Sequence, residues 1–115
     1  MKVFGLVVIR HGKTAFSSRY FSSLTVDHNK DYKIFYMKFE IGSAYIKYNI
    51  MNDNVLDMYK TYVPADLRGK GLARILATEA FQYVVENQLK MKLTCWYLQD
   101  FYKENQIEYR KYVVQ

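Results

Sequence analysis

The sequence has few residues that cross-link or interrupt a chain: one cysteine, one proline and five glycines among 115 residues. The single cysteine, Cys95, excludes an intrachain disulfide and a cysteine-rich metal site, and no spacing typical of metal ligands occurs. This usage is consistent with a reducing compartment. The longest apolar run near the N-terminus, residues 3–9, is far shorter than the roughly 20 residues that a membrane-spanning helix needs.

Acidic residues are missing before Asp27, and this absence locates the positive charge of the chain. The formal net charge is +6, from 17 basic and 11 acidic residues. Four basic residues lie in the first 21 positions, so 13 basic and 11 acidic residues remain beyond them. The domain itself is therefore close to neutral, which disfavours a nucleic-acid partner. We expect no membrane partner either.

Residues 1–22 have the composition of a mitochondrial targeting segment, being free of acid, rich in serine and punctuated by Arg and Lys. The alternatives are a basic N-terminus without a targeting function and, less favoured, a secretory signal. We therefore expect a mitochondrial matrix protein with one domain at residues 23–115. If the segment is not a targeting signal, we expect a cytoplasmic or nuclear protein.

Aromatic residues are abundant, with twelve tyrosines and seven phenylalanines, and they favour a fold that contains a sheet. Short turns predict an antiparallel meander of strands two to four, and a strand–helix–strand crossover predicts that strands four and five are parallel. The fold class is thus α/β (α+β), with a mixed, mostly antiparallel sheet of five strands. The predicted strands are 24–26, 32–39, 44–50, 55–63 and 91–97, and the predicted helices are 72–87 and 98–104. Residues 105–115 have no assignment.

The junction between the fourth strand and the first helix carries most of the chemical information. Pro64 ends the strand because it has no N–H for the ladder, and Arg68, Gly69, Lys70 and Gly71 then precede an amphipathic helix. Backbone N–H groups at a helix start favour a phosphate, glycines allow close approach, and Arg and Lys add charge. The P-loop and dinucleotide-binding patterns do not match, because the Gly-Lys-Ser/Thr ending and the third glycine are missing.

The pattern Arg-x-x-Gly-x-Ala at residues 68–73 resembles the pyrophosphate motif of the GNAT acetyltransferase superfamily. Residues 61–64, 67–73, 93–99 and 103–105 are more closely similar to its minimal, single-domain members of the N-acetyltransferase domain-containing protein 1 type. This resemblance implies the GNAT fold and binding of acetyl-CoA or CoA between splayed strands four and five. It places pantetheine along Tyr62 and Val63 and the phosphates on Arg68, Gly69, Lys70, Gly71, Leu72 and Ala73.

The candidate catalytic residues are Cys95, Lys60 and Tyr97. The resemblance suggests that Cys95 faces the cofactor as an acetyl acceptor or proton relay, while its alternative is a small buried residue of the fifth strand. Tyr97 or Tyr102 would protonate the thiolate of CoA. The family usually has His at position 60, and Lys60 is a poorer base because lysine is ordinarily protonated near neutral pH.

Two functions follow for this expected monomer. The first is an N-acetyltransferase that moves acetyl from acetyl-CoA to an amine, with a peptide or protein as a possible acceptor. The second is a CoA-binding interaction module with little or no transferase activity. The aromatic strand at residues 32–39 fits the core of a sheet better than a base-stacking platform, since no concentrated basic patch accompanies it.

Overall fold

A computed structural model describes residues 24–52 and 54–114, so the predicted targeting segment at residues 1–22 lies outside the described residues. None of the helices in the described part is long and apolar enough to cross a membrane. Short 3-10 turns span Ala65–Leu67 and Arg110–Tyr112. The strands are β1 (Asp27–Asn29), β2 (Ile34–Phe39), β3 (Gly42–Met51), β4 (Val55–Tyr62), β5 (Lys90–Leu93) and β6 (Val113–Val114), and the helices are α1 (Leu72–Glu86), α2 (Trp96–Glu104) and α3 (Gln106–Tyr109).

The six strands form one sheet in sequence order from β1 to β6. β1 to β4 are antiparallel neighbours, whereas β5 is parallel to both β4 and β6. This confirms the predicted meander and the parallel pairing of strands four and five across the α1 crossover. The predicted number of five strands is wrong, because the C-terminal tail adds β6 beside β5.

The first predicted strand, residues 24–26, is also wrong, since β1 comprises Asp27–Asn29, directly after the predicted range. Tertiary contacts decide this: His28 stacks on Phe35 at 4.1 Å between ring centroids and makes a hydrogen bond of 2.6 Å with the Tyr48 hydroxyl. Packing against neighbouring strands outweighs the weak strand propensity of Asp and Asn here.

The fifth strand ends four residues earlier than the predicted boundary at Tyr97. The backbone N–H groups of Thr94 and Cys95 both donate to the carbonyl oxygen of Met58, each at 3.1 Å, so the chain turns away from β4. α2 then starts at Trp96, two residues before its predicted beginning. Cys95 is consequently the residue that precedes a helix and not part of a strand.

The apolar core lies on one face of the sheet, where α1 packs. Strand side chains of alternating positions point towards it, and the opposite face of the described sheet has half-buried and exposed side chains. The α1 side chains that complete the core are spaced at helical intervals. The buried residues of the strands and of α1 are Phe35, Met37, Ala44, Ile46, Tyr48, Leu56, Met58, Met91, Leu93, Leu72, Ile75, Leu76, Ala77, Ala80, Phe81 and Val84.

The C-terminal tail, residues 105–114, packs against this core, and Tyr109 is its buried aromatic side chain. Tyr109 is 3% exposed and meets Phe81 edge to face, with ring centroids 4.9 Å apart. The Lys90 ammonium donates to the carbonyl of Lys111 at 2.8 Å, next to the β5–β6 pairing. Helices of four residues and strands of two leave no periodic pattern in a sequence, which explains why this region had no assignment.

Candidate functional site

A gap opens between β4 and the chain that follows β5. Their pairing ends at Met58 and Leu93, whereas β4 continues to Tyr62. The β3–β4 register shifts at this level, because Lys47 lies opposite Lys60 while the next residue, Tyr48, lies opposite Met58. Tyr59 is thus an additional residue on β4, and such a bulge bends a strand and increases its twist. The bulge accompanies the divergence of β4 from β5.

The gap forms a cleft of about 330 Å³. Its walls come from the end of β4, the following loop, the first turn of α1 and the start of α2. The cleft is therefore built from segments that flank a single crossover connection. The lining residues are Thr61, Tyr62, Val63, Leu67, Arg68, Gly69, Ala73, Cys95, Trp96 and Tyr97.

The loop before α1 presents free backbone donors. Gly69 and Gly71 have φ angles of 80° and 82°, in the left-handed region that glycine adopts without strain. The last loop amide with a partner is that of Arg68, and the next is that of Ile75, which donates to the Gly71 carbonyl at 3.2 Å. Within the described residues, the N–H groups of residues 69–74 donate to no other protein group. Unpaired donors of this kind at a helix start favour an anion.

The Arg68 side chain is positioned by its own loop. Its Nε donates to the carbonyl oxygen of Val63 at 2.7 Å, and its guanidinium carbon lies 5.9 Å from the centre of the Tyr62 ring. These contacts hold the guanidinium beside the cleft, and the terminal nitrogens have no other described partner. A positioned guanidinium group with free terminal nitrogens can bind a phosphate through two parallel hydrogen bonds.

The residues predicted to bind the phosphates lie in three different environments. Arg68, Gly69 and Ala73 line the cleft, as do the predicted pantetheine residues at the end of β4. Lys70 and Gly71 are exposed in the loop, but they are not among the lining residues. Leu72 is only 2% exposed and belongs to the core, so its side chain is not available to a ligand and only its backbone N–H contributes.

Cys95 lies in the cleft, half-buried, directly before α2. Its Sγ is 3.4 Å from the Thr61 Oγ1, so the thiol and the hydroxyl share a hydrogen-bond contact across the gap. The interpretation of Cys95 as a buried residue inside the fifth strand is wrong, because β5 ends at Leu93. Its thiol instead faces the space between the two parting segments.

Tyr97 also lines the cleft, in the first turn of α2. Burial raises the pKa of its hydroxyl, the nearby Glu104 and Cys95 raise it further, and Arg74 opposes the shift. The hydroxyl therefore keeps its proton at neutral pH and is available as a proton donor. The other candidate, Tyr102, packs partly buried against the core and is not among the lining residues.

Lys60 lies apart from these two residues. It is exposed on the face of the sheet opposite α1, and its Nζ is 5.9 Å from the centre of the Tyr45 ring. The structure thus brings Cys95 and Tyr97 into one cleft and leaves Lys60 outside its lining. The lining residues include no imidazole and no carboxylate, and no group of three potential metal ligands occurs in the described part of the chain.

Three lining residues were not predicted as site residues: Thr61, Leu67 and Trp96. All three lie within the sequence stretches that carry the family resemblance, which was the available signal. The side-chain directions of Thr61 and Trp96 depend on the bulge in β4 and on the early start of α2. Neither feature follows from the spacing of residues in the sequence. Trp96 is 72% exposed at the edge of the cleft, which is unusual for so large an apolar side chain.

Comparisons with known proteins agree with this geometry. A family model described as GCN5-related N-acetyl-transferase matches residues 34–112. Protein NATD1 of Xenopus tropicalis is 37% identical over 86 residues, covering 73% of this chain and 79% of the relative. Protein NATD1 of Danio rerio is 40% identical over 85 residues, covering 71% and 76%. The solution structure of a GCN5-like protein from Staphylococcus aureus superposes with a TM-score of 0.62 at 23% identity, covering 81% of this chain and 90% of that one.

Proposed function

This chain belongs to the GCN5-related N-acetyltransferase family, and we propose that it binds acetyl-CoA in the cleft and transfers the acetyl group to an amine. The observation that carries the proposal is the row of N–H groups at residues 69–74, which have no protein acceptor within the described residues. A pyrophosphate supplies the acceptors that these donors lack. The adjoining cleft supplies room for the pantetheine arm.

The residues of the cleft support a placement of the phosphates, the pantetheine arm and the thioester end of this ligand. Arg68, held by the Val63 carbonyl, would bind the phosphates beside the loop. Val63 and Leu67 are apolar lining residues suited to the aliphatic part of pantetheine. The thioester end would then reach the Thr61–Cys95 contact, where β4 has left β5.

Acetyl-CoA, when bound, supplies an acetyl group activated as a thioester. Backbone N–H groups at the end of β4, around Tyr62 and Val63, would polarise its carbonyl oxygen. Tyr97, protonated at neutral pH, would give its proton to the departing thiolate of CoA. Cys95 would act either as a temporary acetyl acceptor, its proton replacing the one that Tyr97 gave up and its thiol being restored when the amine takes the acetyl group, or as a relay that passes the proton of the amine to Tyr97.

Three measurements test this proposal in sequence. Ligand at about 100 times its dissociation constant should stabilise the fold by about 2.7 kcal/mol, which thermal unfolding with CoA and acetyl-CoA would reveal. Turnover on a panel of amines then tests transfer, and intact-protein mass spectrometry after incubation with acetyl-CoA tests whether Cys95 becomes acetylated. The absence of any thermal shift would contradict ligand binding and, with it, the transferase.

A second candidate function is a CoA-binding interaction module with little or no transferase activity. The specific observation in its favour is the lining of the cleft, in which no imidazole or carboxylate is available to deprotonate an amine. Lys60, which takes the place of the usual histidine, points away from the cleft lining. A thermal shift with acetyl-CoA together with no turnover on any amine would favour this module.

For its location we propose the mitochondrial matrix, on the composition of residues 1–22 alone. The test is a fusion of residues 1–25 to a fluorescent reporter, imaged against a mitochondrial marker. Overlap with the marker is the expected result. A diffuse cytosolic or nuclear signal would contradict the proposal and leave the acetyl-CoA site untouched.

A further inference from the structure

Five side chains form a continuous strip on the sheet face opposite α1, referred to here as the cationic strip. Tyr45 and Tyr62 are tilted neighbours with ring centroids 5.3 Å apart. The Nζ atoms of Lys47 and Lys60 lie 5.5 Å and 5.9 Å from the centre of the Tyr45 ring. The guanidinium carbon of Arg68 lies 5.9 Å from the centre of the Tyr62 ring. The two lysines thus lie at one end of the strip, the two phenol rings in the middle and Arg68 at the other end.

The β3–β4 register creates this arrangement. Lys47 is the direct cross-strand partner of Lys60, and Tyr45 is the partner of Tyr62. Like charges opposite one another on two strands are destabilising, so a stable sheet does not favour this lysine pair by itself. The ammonium–ring contacts with Tyr45 oppose that cost.

Within the described residues, no carboxylate forms an ion pair with the strip. The ion pairs there are Arg74–Glu104, which joins α1 to α2, and Lys103–Asp100, which lies within α2. Neither lysine of the strip has an ion pair, and the hydrogen bond of Arg68 goes to a backbone carbonyl. Acidic side chains would balance the charges of the strip, but none is paired with them in the described part of the chain. The positive charge is therefore available to attract a ligand of opposite charge.

The cationic strip leads into the cleft. Tyr62 and Arg68 belong to both, since they line the cleft as well. Lys60 directly precedes Thr61, whose hydroxyl contacts the Cys95 thiol, but the two side chains point to opposite faces of the sheet. A ligand that lies on the strip would therefore approach the cleft along Tyr62 and Arg68.

We propose that the cationic strip binds the acidic side chains of a peptide whose free amine is the acetyl acceptor. This inference rests on the proposed transferase function and names its substrate class. The carboxylates would pair with Lys47 and Lys60, while the peptide backbone would lie against the two tyrosine rings. Lys60 is exposed and is not among the residues that line the cleft, so in this proposal it recognises the acceptor and does not act as its base.

The test is a binding experiment that needs no turnover. An amidated peptide of one alanine followed by three glutamates, and its counterpart with three glutamines, are titrated into the labelled protein and followed by amide chemical shifts. The acidic peptide should bind about tenfold tighter or more at low salt, with shifts centred on β3 and β4, and the difference should shrink as salt screens the charges. The double variant Lys47→Gln with Lys60→Gln should lose this preference.

The control is the double variant Lys103→Gln with Lys111→Gln, which removes the same two charges from exposed positions in α2 and in the C-terminal tail and should leave the preference intact. CoA affinity, measured by thermal shift, should be unchanged in the double variant. Equal binding of the two peptides would overturn the inference, as would binding of a short oligothymidylate on the strip in place of the acidic peptide. A loss of CoA affinity equal to that of the peptide would also overturn it, by assigning the strip to the cofactor. Failure to detect acetyl transfer would contradict the proposed function but not the peptide site.

Discussion

The Cys95 Sγ lies 3.4 Å from the Thr61 Oγ1, and this contact spans the gap where β4 and β5 separate. The two residues come from segments on either side of the α1 crossover, so the contact depends on the fold and not on neighbouring positions. It places a thiol and a hydroxyl together at the inner end of the cleft. The transferase chemistry proposed for the cleft is centred on this pair.

Removing the thiol should separate binding from transfer. We expect Cys95→Ala to retain CoA affinity while acetyl transfer falls by about 100-fold, because the acceptor or proton relay is lost. Thr61→Val keeps the shape of the side chain but removes the contact to Sγ, and should lower transfer by a smaller factor. Steady-state rates with thermal shift as the binding control measure both effects. Full activity of Cys95→Ala would show that the thiol has no part in transfer.

The left-handed glycine that caps α1 provides a second prediction. Gly71 has a φ of 82°, and a Cβ built there meets no atom within 4 Å. Gly71→Ala should therefore destabilise the fold by about 1 kcal/mol through backbone strain alone, without a steric clash. Gly71→Asn is the matched control, since asparagine tolerates this conformation better. Urea unfolding of both variants measures the difference, and an alanine variant as stable as the wild type would contradict the strain.

Much of the fold followed from the sequence because its long elements have strong periodic patterns. The helix that begins at Leu72 and ends at Glu86 agrees with the predicted range, and its end is fixed by Gln88 in the left-handed conformation, with the Leu89 amide bonded to the Val84 carbonyl. This is the hydrogen-bond pattern of a Schellman motif. The short elements, β1, α3 and β6, depend on tertiary contacts and were missed.

The position of the glycine-containing loop was predictable from the sequence, whereas the arrangement of the candidate catalytic side chains was less so. The glycines at positions 69 and 71 indicate a phosphate loop from chemistry alone. The positions of Cys95 and Lys60 depend on where β5 ends and on which face of β4 each residue lies after the Tyr59 bulge. A bulge shifts the alternation of side chains by one residue, and spacing in the sequence does not reveal it.

Acid should weaken the fold through His28. Burial, assisted by the charge of Lys30, lowers the pKa of this imidazole from 6.5 to about 4. Between these values the unfolded chain binds a proton that the folded chain does not, so stability is present above pH 6.5 and is lost as the pH falls towards 4. Urea midpoints at about pH 7 and about pH 4.5 measure the loss.

His28→Phe is the variant that isolates this effect. It keeps an aromatic ring against Phe35 and Tyr83, which lie 4.1 Å and 4.4 Å from the imidazole by ring centroids, but it removes the titrating group. We expect a flatter dependence of stability on pH, whatever the absolute stability of the variant. An unchanged slope would assign the acid sensitivity to other groups.

The docked tail should be essential for stability. Tyr109→Ala removes a ring that is 97% buried, given its 3% exposure, and should cost about 3–5 kcal/mol because a cavity remains beside Phe81 and Phe101. Tyr109→Phe keeps the ring and should cost about 1 kcal/mol or less. Chemical denaturation compares the two variants with the wild type. Equal stabilities would mean that the tail does not contribute to the core.

The measurement that tests the account most directly is a titration of the isotope-labelled protein with CoA, followed through the backbone amide signals of residues 69–74. Saturable shifts of these amides with CoA, but not with pantetheine, which lacks the pyrophosphate, are the predicted result. Arg68→Lys should weaken the CoA response by about tenfold, because it keeps the charge and loses the two-pronged hydrogen bonding. Amide signals that remain unmoved at saturating CoA would contradict the assignment of this loop as the phosphate site.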